Sequence, residues 1–155
     1  MKFVLLLYFV IPATSYAGQL NCPDFSGTFV ETSSSEVLNV NQWGCTTMRM
    51  SSRNIKCATY DNQLVFDGAK YSTPGSQNEW QSYVIQNNAI LGDHEWVEMG
   101  TTYHSKEKIY LDSKQNLIQE FSLPDSSGNY VVTDVRTFTS AMGDGAPEIP
   151  SCQAK

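Results

Sequence analysis

Apolar and polar residues alternate with a period of two through most of this chain, and no other feature constrains its fold as strongly. The pattern is clearest in residues 130–139, where a β-branched row alternates with a row of aromatic and charged residues. Such alternation places successive side chains on opposite faces of a β-strand. No window shows apolar residues at helical spacing with capping residues at its ends. The sequence therefore predicts an all-β protein of about eight to ten short strands.

Turn signals divide the alternating pattern into successive antiparallel hairpins. Asp67 and Gly68 are a strong signal, and they predict a hairpin that joins residues 63–66 to 70–72. Residues 51–54 and 61–62 predict further turns, and Gly100 with Thr101 marks a bulge if residues 96–111 form one long strand. A meander of hairpins favours an up-and-down β-barrel, because closing the sheet removes its exposed edges. A β-sandwich is the alternative.

Residues 1–17 have the three parts of a secretory signal peptide, with Lys2 at the start, an apolar run over 3–11 and small residues ending at Ala17. We expect cleavage after Ala17, a single barrel domain over residues 18–141 and a C-terminal tail over 142–155. The apolar run is about half of the ~20 residues that a membrane-spanning helix needs, so stable membrane insertion is not expected. The protein is therefore expected to be exported to a periplasmic or extracellular compartment.

The charge balance of the chain is acidic, with 16 Asp and Glu residues against 10 Lys and Arg residues and a formal net charge of -6. Nucleic acids and anionic membranes attract clusters of Lys and Arg, and the basic residues of this chain are scattered. The composition therefore excludes nucleic acid as an expected partner. We expect a monomer whose partner is a small amphipathic ligand or another protein.

The chain has four cysteines, and an even number in an exported protein predicts two disulfides. Four cysteines allow three pairings. We favour Cys45 with Cys57, because the turn expected at 51–54 would bring their flanking strands side by side. That choice leaves Cys22 with Cys152, a bond that would pin the C-terminal tail to the start of the first strand.

Residues that could carry chemistry are few. The two histidines are His94 and His104, and Asp93, Glu95 and Glu98 lie near them in what the pattern predicts to be a polar loop. Their spacing matches no common set of metal ligands, so an unremarkable polar loop is the better interpretation. The chain also lacks a G-x-S-x-G nucleophile motif and a glycine-rich phosphate loop. We expect no enzymatic activity, no metal site and no cofactor.

The glycine and aromatic residue of the first strand, Gly27 and Phe29, and Arg136 on the last strand form a short motif. With this motif and a meander of short strands, the chain resembles the lipocalin-like (calycin) superfamily of β-barrels. The resemblance implies that Gly27 lets the chain bend over the barrel floor and that Arg136 packs across the aromatic ring. Two features depart from the family pattern: Phe29 stands where the family usually has tryptophan, and the sequence predicts no helix after the last strand.

Two functions follow from a barrel of this size, depending on how bulky its inward residues are. The first is a binding protein with an internal cavity for a small apolar or amphipathic ligand. The second is a structural or interaction protein whose barrel is filled by its own side chains and whose surface binds a protease or an envelope component. A cavity of a few hundred Å³ would favour the first function, and a packed interior the second.

The final strand suggests which residues would contact a ligand. One face of residues 130–138 carries Tyr130, Asp134, Arg136 and Phe138, a mixture that is unusual for a packed core. If that face lines a cavity, Arg136 is the natural anchor for an acidic head group, and Tyr130 with Trp80 or Trp96 would supply apolar contact. Several aromatic residues, Trp43, Trp80, Trp96, Tyr83 and Tyr110, are candidates either for such a lining or for the core.

Overall fold

A computed structural model describes residues 22–31, 33–54, 56–142, 146–149 and 151, and these residues form ten β-strands. The strands are β1 (Gly27–Glu31), β2 (Glu36–Trp43), β3 (Thr47–Arg53), β4 (Thr59–Val65), β5 (Tyr71–Ser72), β6 (Glu79–Gln86), β7 (Ala89–Glu98), β8 (Thr101–Leu111), β9 (Leu117–Pro124) and β10 (Tyr130–Ser140). Within those ranges there is no helix that is long and apolar enough to span a bilayer. The all-β class predicted from the alternation is confirmed.

All ten strands belong to one antiparallel sheet in the order β4-β3-β2-β1-β10-β9-β8-β7-β6-β5. Neighbours in the sheet are also neighbours in sequence, with one exception: β1 pairs with β10, where Phe29 lies opposite Ser140. The sheet curls into a barrel but does not close through backbone hydrogen bonds. Side chains connect the two edges of the sheet instead. Asn62 on the edge strand β4 and Gln81 on β6, next to the other edge, exchange hydrogen bonds of 3.4 and 3.3 Å.

The hairpin predicted at Asp67 and Gly68 is wrong, because β4 and β5 lie at opposite edges of the sheet. The segment between them crosses the gap rather than folding back on β4. The backbone N–H of Gly68 donates to the carbonyl of Tyr83 on β6 at 3.0 Å, which directs the chain toward β6. Asp67 and Gly68 do redirect the chain, but the strands on either side of them do not pair.

Three smaller expectations are also wrong. The turn placed at 51–54 falls mostly inside β3, and the one at 61–62 falls inside β4. Strands β7 and β8 are joined by a two-residue turn, Met99 and Gly100, whose φ angles of 49° and 79° are both positive, as hairpin turns of this length require. The bulge lies in β10 instead, between Val132 and Asp134.

The barrel interior is apolar at one end and polar at the other. Inward-facing residues on several strands change from hydrophobic to hydrogen-bonding along the strand. The rows are Val40, Leu38 and Glu36 on β2; Met48, Met50 and Ser52 on β3; Leu64, Asn62 and Tyr60 on β4; and Ile109, Glu107 and Ser105 on β8. The apolar ends pack together as the core, which leaves the polar ends around open space.

The segment before β1 closes the apolar end of the barrel. Phe25 is fully buried in the core. Its backbone N–H donates to the side-chain oxygen of Gln42 at 2.9 Å, and the amide nitrogen of Gln42 donates to the carbonyls of Pro23 and Gly44 at 2.9 and 2.8 Å. One side chain on β2 thus satisfies three backbone groups that strand pairing leaves unmatched.

The disulfide pairing predicted from the sequence is wrong. Cys22 is bonded to Cys45, with Cα atoms 5.6 Å apart, so neither Cys45–Cys57 nor Cys22–Cys152 is present. Cys45 precedes β3 and Cys57 follows it, so the length of a seven-residue strand lies between them. At ~3.3 Å per residue that separation is about 20 Å, far beyond the reach of a disulfide. Cys57 is disulfide-bonded, and Cys152, with most of the predicted tail, lies outside the described residues.

Candidate ligand-binding cavity

The polar half of the barrel contains a cavity of about 440 Å³. Side chains from eight of the ten strands, all except β1 and β5, line this space together with Thr73. The aromatic residues of the lining are Tyr60, Trp80, Tyr83, Trp96, Phe121 and Phe138. Tyr60 and Glu79 also line it and are exposed, so the cavity reaches the protein surface.

Glu107 is the centre of a hydrogen-bonded cluster in the cavity wall. Its side chain is 5% exposed. The hydroxyl of Tyr83 donates to Glu107 Oε2 at 3.1 Å, His94 Nε2 lies 3.0 Å from the same oxygen, and the amide of Gln119 donates to Oε1. Burial, and then the negative charge of Glu107, raise the pKa of Tyr83, so its hydroxyl stays protonated and remains a donor.

The register of three strands brings this cluster together. Tyr83 on β6 lies opposite Gly92 on β7, and Gly92 lies opposite Glu107 on β8. The central position must be small, because a Cβ atom on residue 92 would lie 2.5 Å from Cε1 of Tyr83. Gly92 therefore makes room for the tyrosine ring to cross β7 and reach the carboxylate.

Arg136 lines the same cavity but is held by two carboxylates. Its Nε donates to Glu31 Oε1 at 3.0 Å and one terminal nitrogen donates to Glu31 Oε2 at 2.9 Å, while a further bond joins the guanidinium to Glu36. The hydrogen bonds from Arg136 lower the pKa of Glu31. The hydrogen bonds to Glu31 raise the pKa of Arg136, so the guanidinium stays charged.

This arrangement differs from what the sequence led us to expect of Arg136. The resemblance implied that the guanidinium crosses the ring of Phe29, and it lies over Phe138 instead, 4.8 Å from the ring centre. An acidic head group at Arg136 would also meet Glu31 and Glu36, so the arrangement disfavours an anionic ligand at this position.

Two of the three aromatic residues proposed as ligand contacts line the cavity. Trp80 and Trp96 do so, and Trp96 stacks on Tyr103 of β8 with ring centres 5.5 Å apart. Tyr130 does not, because it is 41% exposed on the outside of the barrel, where the Lys106 ammonium lies 4.9 Å from its ring. Tyr130 borders a smaller depression of about 110 Å³ instead.

Sequence reasoning missed Glu107 and misplaced His94. Residues 93–95 lie inside β7 rather than in a polar loop, and His94 faces the interior. A signal was present: Glu107 shares a strand face with Ile109, as Gln119 does with Leu117 and Phe121, so polar residues interrupt apolar inward rows. Within the part of the chain that the structure describes, no group of three or more His, Cys, Asp or Glu side chains could hold a metal ion.

No family model matches the chain, and no curated protein matches its sequence. Among solved structures, the fluorescent protein UnaG matches 70% of this chain and 77% of its own, at 13% identity and a TM-score of 0.53. A point mutant of UnaG matches 70% of this chain and 73% of its own, at 12% identity and a TM-score of 0.54. The fold is an antiparallel β-barrel similar to that of UnaG. The expected resemblance is thus confirmed for the barrel fold but not for lipocalins in particular.

A third solved structure, fatty-acid-binding protein 1 of Echinococcus granulosus, matches 69% of this chain and 72% of its own, at 17% identity and a TM-score of 0.44.

Proposed function

We propose that this protein is an exported binding protein that holds a small ligand inside its barrel. The observation that carries this proposal is the cavity of about 440 Å³, which falls within the range of roughly 300 to 1,000 Å³ that is typical of small-molecule sites. Its wall combines aromatic surface with a few fixed polar groups, the usual composition of such sites. Binding, rather than catalytic turnover, is the proposed activity.

The distribution of packing within the barrel supports binding over the filled-barrel alternative. A structural barrel would be packed along its whole length, whereas here the core is confined to one end. The polar inward residues at the other end, Glu107 among them, cost stability unless they have partners. Keeping such groups around an open space is expected of a ligand site and has no advantage in a filled barrel.

Export is part of the proposal and rests on the sequence pattern of residues 1–17, which lie outside the described residues. The disulfide between Cys22 and Cys45 supports it, because disulfides persist in oxidising compartments. Cleavage after Ala17 would leave Cys22 near the new N-terminus, where its bond to Cys45 anchors the segment that closes the barrel floor.

The test is to fill the cavity and measure binding of an uncharged, polarity-sensitive dye such as Nile red. Ser52 on β3 lines the cavity, so Ser52→Trp places a large ring in the space. We expect the wild type to bind the dye with a rise in fluorescence, and Ser52→Trp to weaken binding by about 10-fold or more, since the ring removes much of the apolar contact.

Ser51→Trp is the matched control, because Ser51 is the next residue on β3 and its side chain points to the other face. It should bind the dye like the wild type. Failure of the wild type to bind, or equal weakening by both folded variants, would overturn the proposal.

A further inference from the structure

We infer that the ligand of this cavity carries a protonated amine or a similar hydrogen-bonding cation, and that Glu107 is its anchor. The inference rests on the proposed binding function and names the chemical class of the ligand. It reverses the anionic head group that the sequence suggested for Arg136.

The wall of the cavity carries more negative than positive charge. Its lining includes the carboxylates of Glu36, Glu79, Glu95 and Glu107 and a single guanidinium, that of Arg136. No lysine is present in the lining. A low-dielectric space with this imbalance attracts cations and repels carboxylates.

The ion pairs of the wall single out one carboxylate. Arg136 is bonded to Glu31 and Glu36, and Glu95 is bonded to the Lys70 ammonium at 2.7 Å. Glu79 is exposed at the rim. Glu107 is buried, and among the described residues no lysine or arginine pairs with it; its partners are Tyr83, Gln119 and His94, which is charged only when protonated.

A buried carboxylate of this kind is incomplete without a cation. Buried charges in proteins are normally paired, because neutral donors recover only part of the hydration that burial removes. A carboxylate offers about four lone-pair positions, and the contacts of Glu107 with Tyr83, Gln119 and His94 take three of them. A ligand N⁺–H can take the remaining position from the cavity side and supply the missing charge.

The rest of the wall indicates what the amine is attached to. Trp96 on β7 and Phe121 on β9 present aromatic surface from the two strands that flank Glu107 on β8. Tyr60 does so from β4. Aromatic faces bind both apolar chains and, through their quadrupoles, cationic groups. The ligand class is therefore a small amphipathic amine with an aliphatic or aromatic body.

The experiment compares three ligands with the same chain, octylamine, octanol and octanoate, for their ability to displace Nile red from the mature protein at neutral pH. We expect octylamine to displace the dye at a concentration about 10-fold lower than octanol needs, or lower still, because the ammonium supplies Glu107 with a counter-charge that the hydroxyl lacks. Octanoate should be the weakest of the three. If octanoate ranked first with the wild-type protein, that result by itself would overturn the inference, and no variant would be needed.

Glu107→Gln assigns the anchor, because it keeps the shape of the side chain and removes its charge. It should bring octylamine close to the level of octanol and affect octanol much less, because only the amine loses an ion pair. Glu120→Gln is the matched control: it makes the same change of net charge on β9, where Glu120 bonds to Tyr110 and does not line the cavity. Unchanged amine binding by Glu107→Gln, or an equal loss in Glu120→Gln, contradicts the assignment.

The two proposals fail in different ways. If neither the dye nor any octyl compound binds the wild type, the binding function itself is wrong. If the dye binds and the amine shows no preference, the binding function stands and the ligand class is wrong.

Discussion

Arg136 and Glu31 show how single residues on distant strands organise the interior of this barrel. Glu31 is 7% exposed, and both of its oxygens accept hydrogen bonds from Arg136. The bidentate geometry gives the pair directionality as well as charge neutralisation. Removing one member of such a pair leaves the other buried without a counter-charge, which costs more than the pair itself contributes.

We therefore expect Arg136→Met to lower the free energy of unfolding by about 2 kcal/mol or more, because Glu31 would lose its cationic partner. Urea unfolding measures the loss. Arg49→Met is the matched control, since Arg49 pairs with Asp61 on the exposed face of the sheet and should contribute little. Similar losses in the two variants would show that the interior ion pair has no special role.

The strand elements differ in how well their backbone groups are satisfied. β8 pairs on both sides, with β7 and β9, whereas β4 pairs only with β3 and β5 pairs only with β6. The gap between β4 and β5 is bridged by the side chains of Asn62 and Gln81 rather than by a backbone ladder. Edge strands with unpaired N–H groups open more readily than central ones.

Amide hydrogen exchange should reveal this gap. In β4, the amides that point away from β3 are expected to exchange at least about 100-fold faster than those of β8, because they have no strand partner. The β8 amides are the internal reference. Equal protection of β4 and β8 would mean that the sheet closes fully in solution.

At the scale of the whole molecule, the acidic composition couples stability to pH. Among the residues that the structure describes, six carboxyl groups have a lowered pKa, each because of hydrogen bonds to its charged form: Asp24, Glu31, Asp61, Asp67, Glu95 and Asp112. For each of them the unfolded chain binds protons at a higher pH than the folded one does. Their contribution to stability is therefore complete above the ordinary pKa values of 3.8 to 4.5 and is lost as the pH falls through the folded values.

The free energy of unfolding should consequently be nearly constant above about pH 5.5 and fall steadily below about pH 4.5. Glu31→Gln should be less stable than the wild type at neutral pH and lose less stability in acid, because it lacks one of the shifted carboxyls. Urea unfolding across the pH range tests both. A stability that rises on acidification would contradict the sign of these shifts.

The sequence alone was sufficient for the class of fold, because period-two alternation is a local property that any strand must satisfy. Some turns are local in the same way: Asn87 and Asn88 join β6 to β7, and both residues have the positive φ that asparagine tolerates. The sequence also singled out Arg136, Trp80 and Trp96 as candidate ligand contacts, and the structure places all three in the cavity wall. Alternation and turns can be predicted from a few neighbouring residues, because both are local properties of the chain.

Only the tertiary structure decided which distant groups meet. The pairing of β1 with β10, the gap between β4 and β5, the bond between Cys22 and Cys45 and the exclusion of Tyr130 from the cavity all depend on how the sheet curls. The same holds for Glu107, since alternation shows that it shares a face with Ile109 but not that this face encloses open space. The curvature of the sheet results from small twists between neighbouring strands, added over all ten strands. No single segment of the sequence specifies that total.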